Sequence, residues 1–338
     1  MSKNYPIDFV VTWVDGNDPI WQAEKAKYSP NKNVDNRNVR FRDWDNMQYW
    51  FRAVEKFAPW VNKIHFVTYG HLPKWLNTNN PKLNIAKHSD FIPQKYLPTF
   101  SSQPIELNLH RIEGLAERFV YFNDDMFLLR PVKRELFFAG KDCLPTDFAI
   151  TSTISTTTKE DMMPFIKLNC VTILNGHFDK KKQMKKHFSK WVNLAYGWNA
   201  LRNLIFYGQH RFKGFANNHL AFSFLKSEYE DIWEKEYESL DDTSSHKFRS
   251  KLDLDNWLIR YWQLTRGNFY PIGRHVKGRV YEIYNGVEQN QELFKIIENQ
   301  AMPMICINDN DNVDFEPMKE RIKQAFDKIL PEKSSFEK

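Results

Sequence analysis

Hydrophobic and polar positions follow two rhythms along this chain, and the change of rhythm divides it. Ile7 to Val14 is rich in β-branched and aromatic residues and stops at Asp15, Gly16, Asn17, Asp18 and Pro19, all turn formers. That reads as a strand running into a polar loop. From Asp43 to Phe57 the apolar residues Met47, Trp50, Phe51, Val54 and Phe57 recur mostly three apart, which is helical, and Asp45 with Gln48 has the spacing of a capping box. Lys63 to Tyr69 alternates as a second strand and ends at Gly70. Ile105, Leu109 and Ile112 mark a short helix closed by Gly114, and Phe119 to Phe122 is a third strand with Asn123, Asp124 and Asp125 at its end.

Strand, helix, strand, helix, strand predicts an α/β fold with a mainly parallel, Rossmann-like sheet. Ligands in such sheets bind beyond the carboxyl ends of the strands. Asp15 and the Asp124/Asp125 pair both fall there, on different strands, so one crevice can collect them. Beyond Val132 the rhythm becomes helical. Thr151 to Thr158 is loop-like, whereas Lys180 to Tyr196, Leu220 to Trp233, Asp255 to Leu264 and Phe315 to Ile329 read as helices. This helix-rich half is expected to pack over the sheet, and no internal repeat interrupts it.

Composition narrows the classes. Gly and Pro contents are ordinary, so the chain is neither collagen-like nor low-complexity. Aromatic residues make up 15%, which suits sugar rings but is first of all core material. The net charge of +6 fits phosphate-rich ligands or an anionic membrane surface. No recognition helix, RRM, OB or zinc-finger signature stands out, so no nucleic-acid partner is expected. Cys143, Cys170 and Cys306 are few and far apart, which fits a reducing compartment. The N-terminus lacks the long apolar region of a signal peptide, and no membrane-length apolar run occurs, so a cytoplasmic location is expected.

The chemistry centres on acidic residues. Adjacent carboxylates at a strand end are costly to bury without a cation, and oxygen ligands suit Mg²⁺ or Mn²⁺. A metal site and a solvated, helix-capping turn both fit Asn123, Asp124 and Asp125. Asp15 and Asp18 admit the same two readings. His219 reads as a ligand-site or structural histidine, and Arg249 as a phosphate contact or a surface cation. Dinucleotide, Walker A, nucleophile-elbow and zincin motifs are missing. Lys181, Lys182, Lys185 and Lys186 surround Met184, Phe188, Trp191, Val192 and Ala195, a basic amphipathic pattern that fits either a solvated face or peripheral contact with an inner membrane leaflet.

Longer strings carry a resemblance. IDFVVTWVDGNDPIW, RFRDWDNMQYWFRAVEKFAPWVNKIHFVTYGHLPKWLN and LPTFSSQPIELNLHRIEGLAERFVYFNDDMFLL resemble the first two conserved regions of the Stealth family of sugar-1-phosphate transferases. NHLAFSFLKSEYEDIW with SSHKFRSKLDLD resembles the third, placing His219, Arg249 and Asp253 on signature positions. ICINDND with LPEKSSFE resembles the fourth and places Asn308 and Asp309. The blocks span Ile7 to Glu337. Two departures are Gln48, where the family commonly has Arg before Tyr49, and Ala221, where it commonly has Pro.

The resemblance implies a glycosyltransferase-A-like sheet and transfer of a hexose 1-phosphate, or a similar sugar phosphate, from a nucleotide diphosphate sugar, with uridine as the base. The acceptor implied is a hydroxyl of a polysaccharide or lipid-linked oligosaccharide, and a nucleoside monophosphate leaves. It further implies catalytic roles for His219, Asp125, Arg249 and Asp15, metal ligation by Asp124, Asp125 and Asp309, and substrate contacts from Trp13, Gly16, Arg40, Asp43, Arg52, Asn123, Asp253 and Asn308. The organisation expected is an α/β half (7–132), a helical insertion for acceptor or membrane contact (133–214) and a C-terminal catalytic part (215–337). A metal-dependent glycosyltransferase releasing a nucleoside diphosphate is the competing reading, and a carbohydrate-binding protein a third.

Overall fold

Ile7–Trp13 forms strand β1, buried along almost its whole length. A mostly apolar run, broken only at Asp8 and Thr12, suits a strand covered on both faces, because neither side meets water. Ile64–Thr68 (β2), Leu83–Lys87 (β3) and Arg118–Phe122 (β4) lie parallel to it in the order β3, β2, β1, β4. Met126–Leu128 (β5) leaves this sheet, and Phe222–Leu225 (β6) completes it by pairing antiparallel with β4. A second sheet is built from Gly278–Glu282 (β7), parallel to Met304–Asn308 (β8), which pairs antiparallel with β5. The computed structural model describes residues 5–29, 42–156, 158, 161–310 and 312–338.

The main sheet separates two cores. On one face the helix Met47–Phe57 lays Trp50 5.5 Å from Phe122 and Phe51 5.7 Å from Phe66, and the helix Phe315–Ile329 brings Phe326 within 4.9 Å of Phe127. On the other face Val10, Val67 and Tyr121 pack with Tyr229, Leu258 and Trp257 from the helices Lys226–Lys235 and Asn256–Arg266. Fully burying one such large side chain stabilises by about 1.5–3 kcal/mol relative to leaving it in water. The C-terminal half therefore does pack over the sheet, and it covers both faces. It also supplies β6, so the sheet is incomplete without it.

Several local expectations need correction. Pro19–Tyr28 is a helix, with Asp18 as its N-cap accepting from the Trp21 amide at 2.7 Å, so the polar loop is only Val14 to Asp18. The capping box at Asp45 does not form: Asn46 is the N-cap, and Asp45 sits at φ +50 with its amide donating to Asp43 Oδ1. The stretch expected as one helix from Leu220 breaks at Lys226, because Phe222 to Leu225 is drawn into the sheet by β4. β3 and β5 were hidden by their shortness and partly polar pattern.

The basic stretch is corrected as well. It is not one amphipathic helix but Lys180–Lys186, Phe188–Trp191 and a 3₁₀ turn at Leu194–Tyr196, with Met184, Trp191 and Tyr196 buried in the protein core. Those three side chains are therefore spent internally, while Phe188 and Leu194 stay exposed. Thr151 to Thr156 is loop, pinned where Thr151 bridges Phe215.

Candidate active site

β1, β4 and β8 end at one crevice. Past β4 the Asn123–Asp125 turn closes when the Met126 amide donates to Asn123 O at 3.3 Å, and the Ile307 amide donates to Asp125 O at 2.9 Å. That second bond locks the small sheet against the main one. A cavity of about 520 Å³ results, lined among others by Trp13, Arg42, Asp43, Trp44, Asp124, Asp125, Arg249, Asn308 and Asp309. Its size falls within the range of small-molecule and cofactor pockets.

Carboxylates crowd one wall. Desolvation at the crevice wall, with the charges of Asp125 and Asp43 added, pushes Asp124 up to about 7 although its side chain opens on the cavity. Asp43 is also raised, chiefly by burial, with Asp45 and Asp15 contributing. Like charges held this close without a counter-charge destabilise one another. Asp125 divides its two oxygens. Oδ2 lies 3.4 Å from His219 Nε2 and accepts from Cys306 Sγ at 3.2 Å, whereas Oδ1 is buried with no hydrogen-bond partner among the described residues. Such a buried, unmatched acceptor is costly unless something positive meets it.

That arrangement fits a hard divalent cation. Asp124 and Asp125 Oδ1 would hold it, with Asp43 close enough to add charge. Cys306, Asp125 and His219 also approach one another within 4.8 Å, as a metal triad would. Burial and the Asp125 charge keep the Cys306 thiol well above its ordinary range, so with no cation bound it donates its proton to Asp125.

His219 does not line the cavity; it stands behind Asp125. Its Nε2 is 3.3 Å from Asn123 Nδ2, and although burial alone would lower its pKa, the bond and charge of Asp125, with Glu106, raise it. With Nε2–H turned to Asp125, Nδ1 is the nitrogen able to take a proton. Arg249 reaches the cavity while Nε bonds Gln103 Oε1 and Nη2 bonds Ser102 Oγ, each at 3.3 Å.

The remaining expected residues divide. Trp13 and Asn308 line the cavity, and Asn123 contacts His219. Asp15 stands one layer back, its amide donating to His71 Nε2 at 2.8 Å, and Gly16 offers its carbonyl to Gln22. Arg40 lies outside the described residues. Two expected substrate contacts stand away from the cavity and are held by protein partners. Arg52 grips Glu337 with two bonds of 2.8 and 2.7 Å and also holds Leu330 O, tying down the C-terminus. Asp253 is fully buried, accepting from His246 Nδ1 and the Ser250 amide, so it shapes the loop that carries Arg249. Asp309 lines the cavity, but both its oxygens are taken by Arg42 at 3.0 and 2.6 Å, with Trp44 Nε1 adding a third bond. A metal-ligand role for it requires that pair to open.

Sequence reasoning missed Arg42, Trp44 and Glu106. Arg42 lies two residues beyond Arg40 in the same string, stacked 4.5 Å from the Phe315 ring, and spacing alone did not separate the two arginines. Glu106 is a buried acid in the helix Ser102–Asn108, its pKa raised by burial. An acid among the apolar positions Ile105, Leu107 and Leu109 was the available signal.

Fold and site define an α/β enzyme with a carboxylate-lined crevice beyond its strand ends. Two family models match, Stealth protein conserved region 1 over residues 5–33 and Stealth protein conserved region 2 over residues 40–144. The chain belongs to the Stealth family. A capsular polysaccharide phosphotransferase, WcwK, of Streptococcus pneumoniae is 43% identical, covering 100% of both chains. The receptor polysaccharide phosphotransferase WefC of Streptococcus gordonii is 40% identical over 98% of each, and the exopolysaccharide phosphotransferase cps2G of Lactiplantibacillus plantarum is 38% identical over 100% of this chain and 98% of its own. Among solved structures, the galactosyltransferase LgtC aligns over 94% of this chain and 95% of its own at a TM-score of 0.37 and 8% identity, too distant a likeness to argue from.

Proposed function

We propose that this chain is a polysaccharide phosphotransferase that moves a hexose 1-phosphate from a nucleotide diphosphate sugar, a UDP-sugar, to a hydroxyl of a polysaccharide or lipid-linked oligosaccharide. The acceptor oxygen attacks the phosphorus that carries the sugar. The bond from that phosphorus to the bridging oxygen breaks, and a nucleoside monophosphate leaves.

The observation that carries this reading is the division of labour at Asp125, one oxygen on His219 and the other unmatched in the acidic wall. Mg²⁺ or Mn²⁺ held there would neutralise diphosphate charge. His219, held through Nε2, would take the acceptor proton at Nδ1, since a hydroxyl is a poor nucleophile until its proton leaves. Arg249 and Arg42 border the same cavity and suit phosphate oxygens. The test is incubation with a panel of nucleotide-sugars and Mg²⁺, reading the released nucleotide. A nucleoside monophosphate with a sugar phosphodiester supports the proposal. A nucleoside diphosphate with a plain glycosidic product replaces it with the glycosyltransferase reading.

A further inference from the structure

The helix Asn199–Ile205 is inside out. Its buried residue is polar: Asn203 donates to Ala149 O and Trp191 O and accepts from the Thr151 amide at 2.8 Å. Facing water instead are Leu201, Leu204 and Ile205, with Trp198 87% and Leu194 98% exposed just before them. An ordinary surface helix has the opposite distribution. Among the described residues, six of the fifteen exposed large hydrophobic side chains fall between Phe188 and Ile205. Trp198, Leu201, Leu204 and Ile205 are spaced three, three and one apart, which puts them on one side of a helix. Because Asn203 fixes the opposite side with three hydrogen bonds, the helix cannot roll over to hide them. Contiguous exposed apolar surface of this kind marks an interaction site.

Charge identifies the occupant. Between Asp179 and Glu228 the chain holds eight Lys and two Arg and no acidic residue. The exposed Lys181, Lys182, Lys185 and Lys186 sit on the helix Lys180–Lys186, which is joined to the apolar one where Lys180 Nζ donates to Phe206 O. A second copy of this chain meeting the patch symmetrically would bring the same lysines face to face, which repels. Among the described residues no helix is long and apolar enough to cross a membrane. Apolar side chains with lysines beside them suit the plane of an anionic bilayer, the rings and aliphatic groups entering the headgroup layer and the ammonium groups meeting lipid phosphates.

We propose that Leu194, Trp198, Leu201, Leu204 and Ile205 form a membrane-docking surface for an anionic lipid leaflet. This goes beyond the phosphotransfer reading and stands without it. The test is sedimentation of the full chain with vesicles of equal parts phosphatidylglycerol and phosphatidylcholine, compared with phosphatidylcholine alone, using the wild type and the double variant Trp198→Gln/Ile205→Gln. The expected results are retention on the anionic vesicles, loosened by salt, and at least about a tenfold loss of affinity in the variant, given the transfer free energy of two large side chains. Both positions are exposed, so an unchanged thermal melting point confirms that the variant is folded. Equal retention of wild type and variant, or none on anionic vesicles, overturns the proposal. So does light scattering that shows a wild-type dimer abolished by the same variant, which assigns the patch to a second copy.

Discussion

Arg260 and Asp147 form a two-pronged buried pair, Nε to Oδ2 and Nη2 to Oδ1 at 2.8 Å each, and Arg260 Nη1 also reaches Asn217 Oδ1 at 2.5 Å. The pair thereby anchors the backbone two residues before His219, while Arg274 holds the next residue through Asn218 Oδ1 at 3.0 Å. Arg260→Met leaves Asp147 charged and unpaired in the interior, and we predict a loss of about 3–5 kcal/mol in urea unfolding. Arg260→Lys keeps the charge but not the fork, so it should recover part of that stability while kcat stays low and donor KM changes little. Wild-type kcat in the lysine variant would show that the network does not position His219.

A cation should stabilise the protein before any turnover. Asp124 rises to about 7 because desolvation at the crevice wall and its acidic neighbours resist ionisation, and a divalent ion removes that resistance. Binding at a hundred times its dissociation constant adds about 2.7 kcal/mol, so Mn²⁺ or Mg²⁺ should raise the melting point of EDTA-treated protein. In Asp125→Asn the rise should vanish. Identical melting of the wild type with and without the ions refutes the site.

His219→Ala tests the base. The expected loss in kcat is about 10²-fold to 10⁴-fold, with donor KM nearly unchanged because His219 does not line the cavity. The Asp125 bond and charge outweigh burial and raise the histidine's pKa, so the wild-type rate should climb with pH across a midpoint above the ordinary imidazole value. Near-normal turnover with weakened donor binding in the variant would make His219 a binding contact instead.

Strands β1, β2 and β4 and the acidic turn after β4 were legible because an unbroken or alternating apolar run that ends in turn formers suits a strand far better than a helix. Phe222 to Leu225 was not, since three apolar residues around Ser223 leading into a helix fit its period as well as a strand's, and only the open edge of β4 decides between them. Arg52 and Asp253 show a different limit. Each has the residue type a substrate contact needs, yet Glu337 and His246, distant or local in sequence, claim them first. Chemistry read residue by residue finds charged groups, and only the fold tells which are already paired.

Arg42 and Asp309 offer a case in point. If the pair closes the cavity wall as a unit, Arg42→Met and Asp309→Asn should raise donor KM to similar extents, and the double variant should be little worse than either single one. The melting-point rise with Mn²⁺ should survive in Asp309→Asn. Should it disappear there and persist in Arg42→Met, Asp309 is a metal ligand after all and its bond to Arg42 opens on loading.

Acid stability should depend on Asp8, a carboxylate buried inside β1. Burial alone would raise its pKa, but bonds from His65 Nε2 at 3.0 Å, Asn62 Nδ2 at 2.7 Å and the Ala116 amide at 2.8 Å, with the His65 charge, bring the net shift below the ordinary value. A carboxyl whose folded pKa is depressed binds fewer protons folded than unfolded across the interval between the two values. Its contribution is thus fully present above the unfolded value near 3.9 and is lost as pH falls through the folded one. The wild type should therefore show a urea midpoint that drops as pH falls below about 4. In Asp8→Asn these donors, with the Lys63 amide that also bonds Asp8 Oδ1 at 3.1 Å, lose a charged acceptor, so stability at neutral pH should fall by about 3–5 kcal/mol, the cost of breaking a buried pair. The acid limb of that variant should also be flatter than that of the wild type, because the group that titrated is gone. Equal steepness in both proteins would assign the acid sensitivity to carboxylates elsewhere.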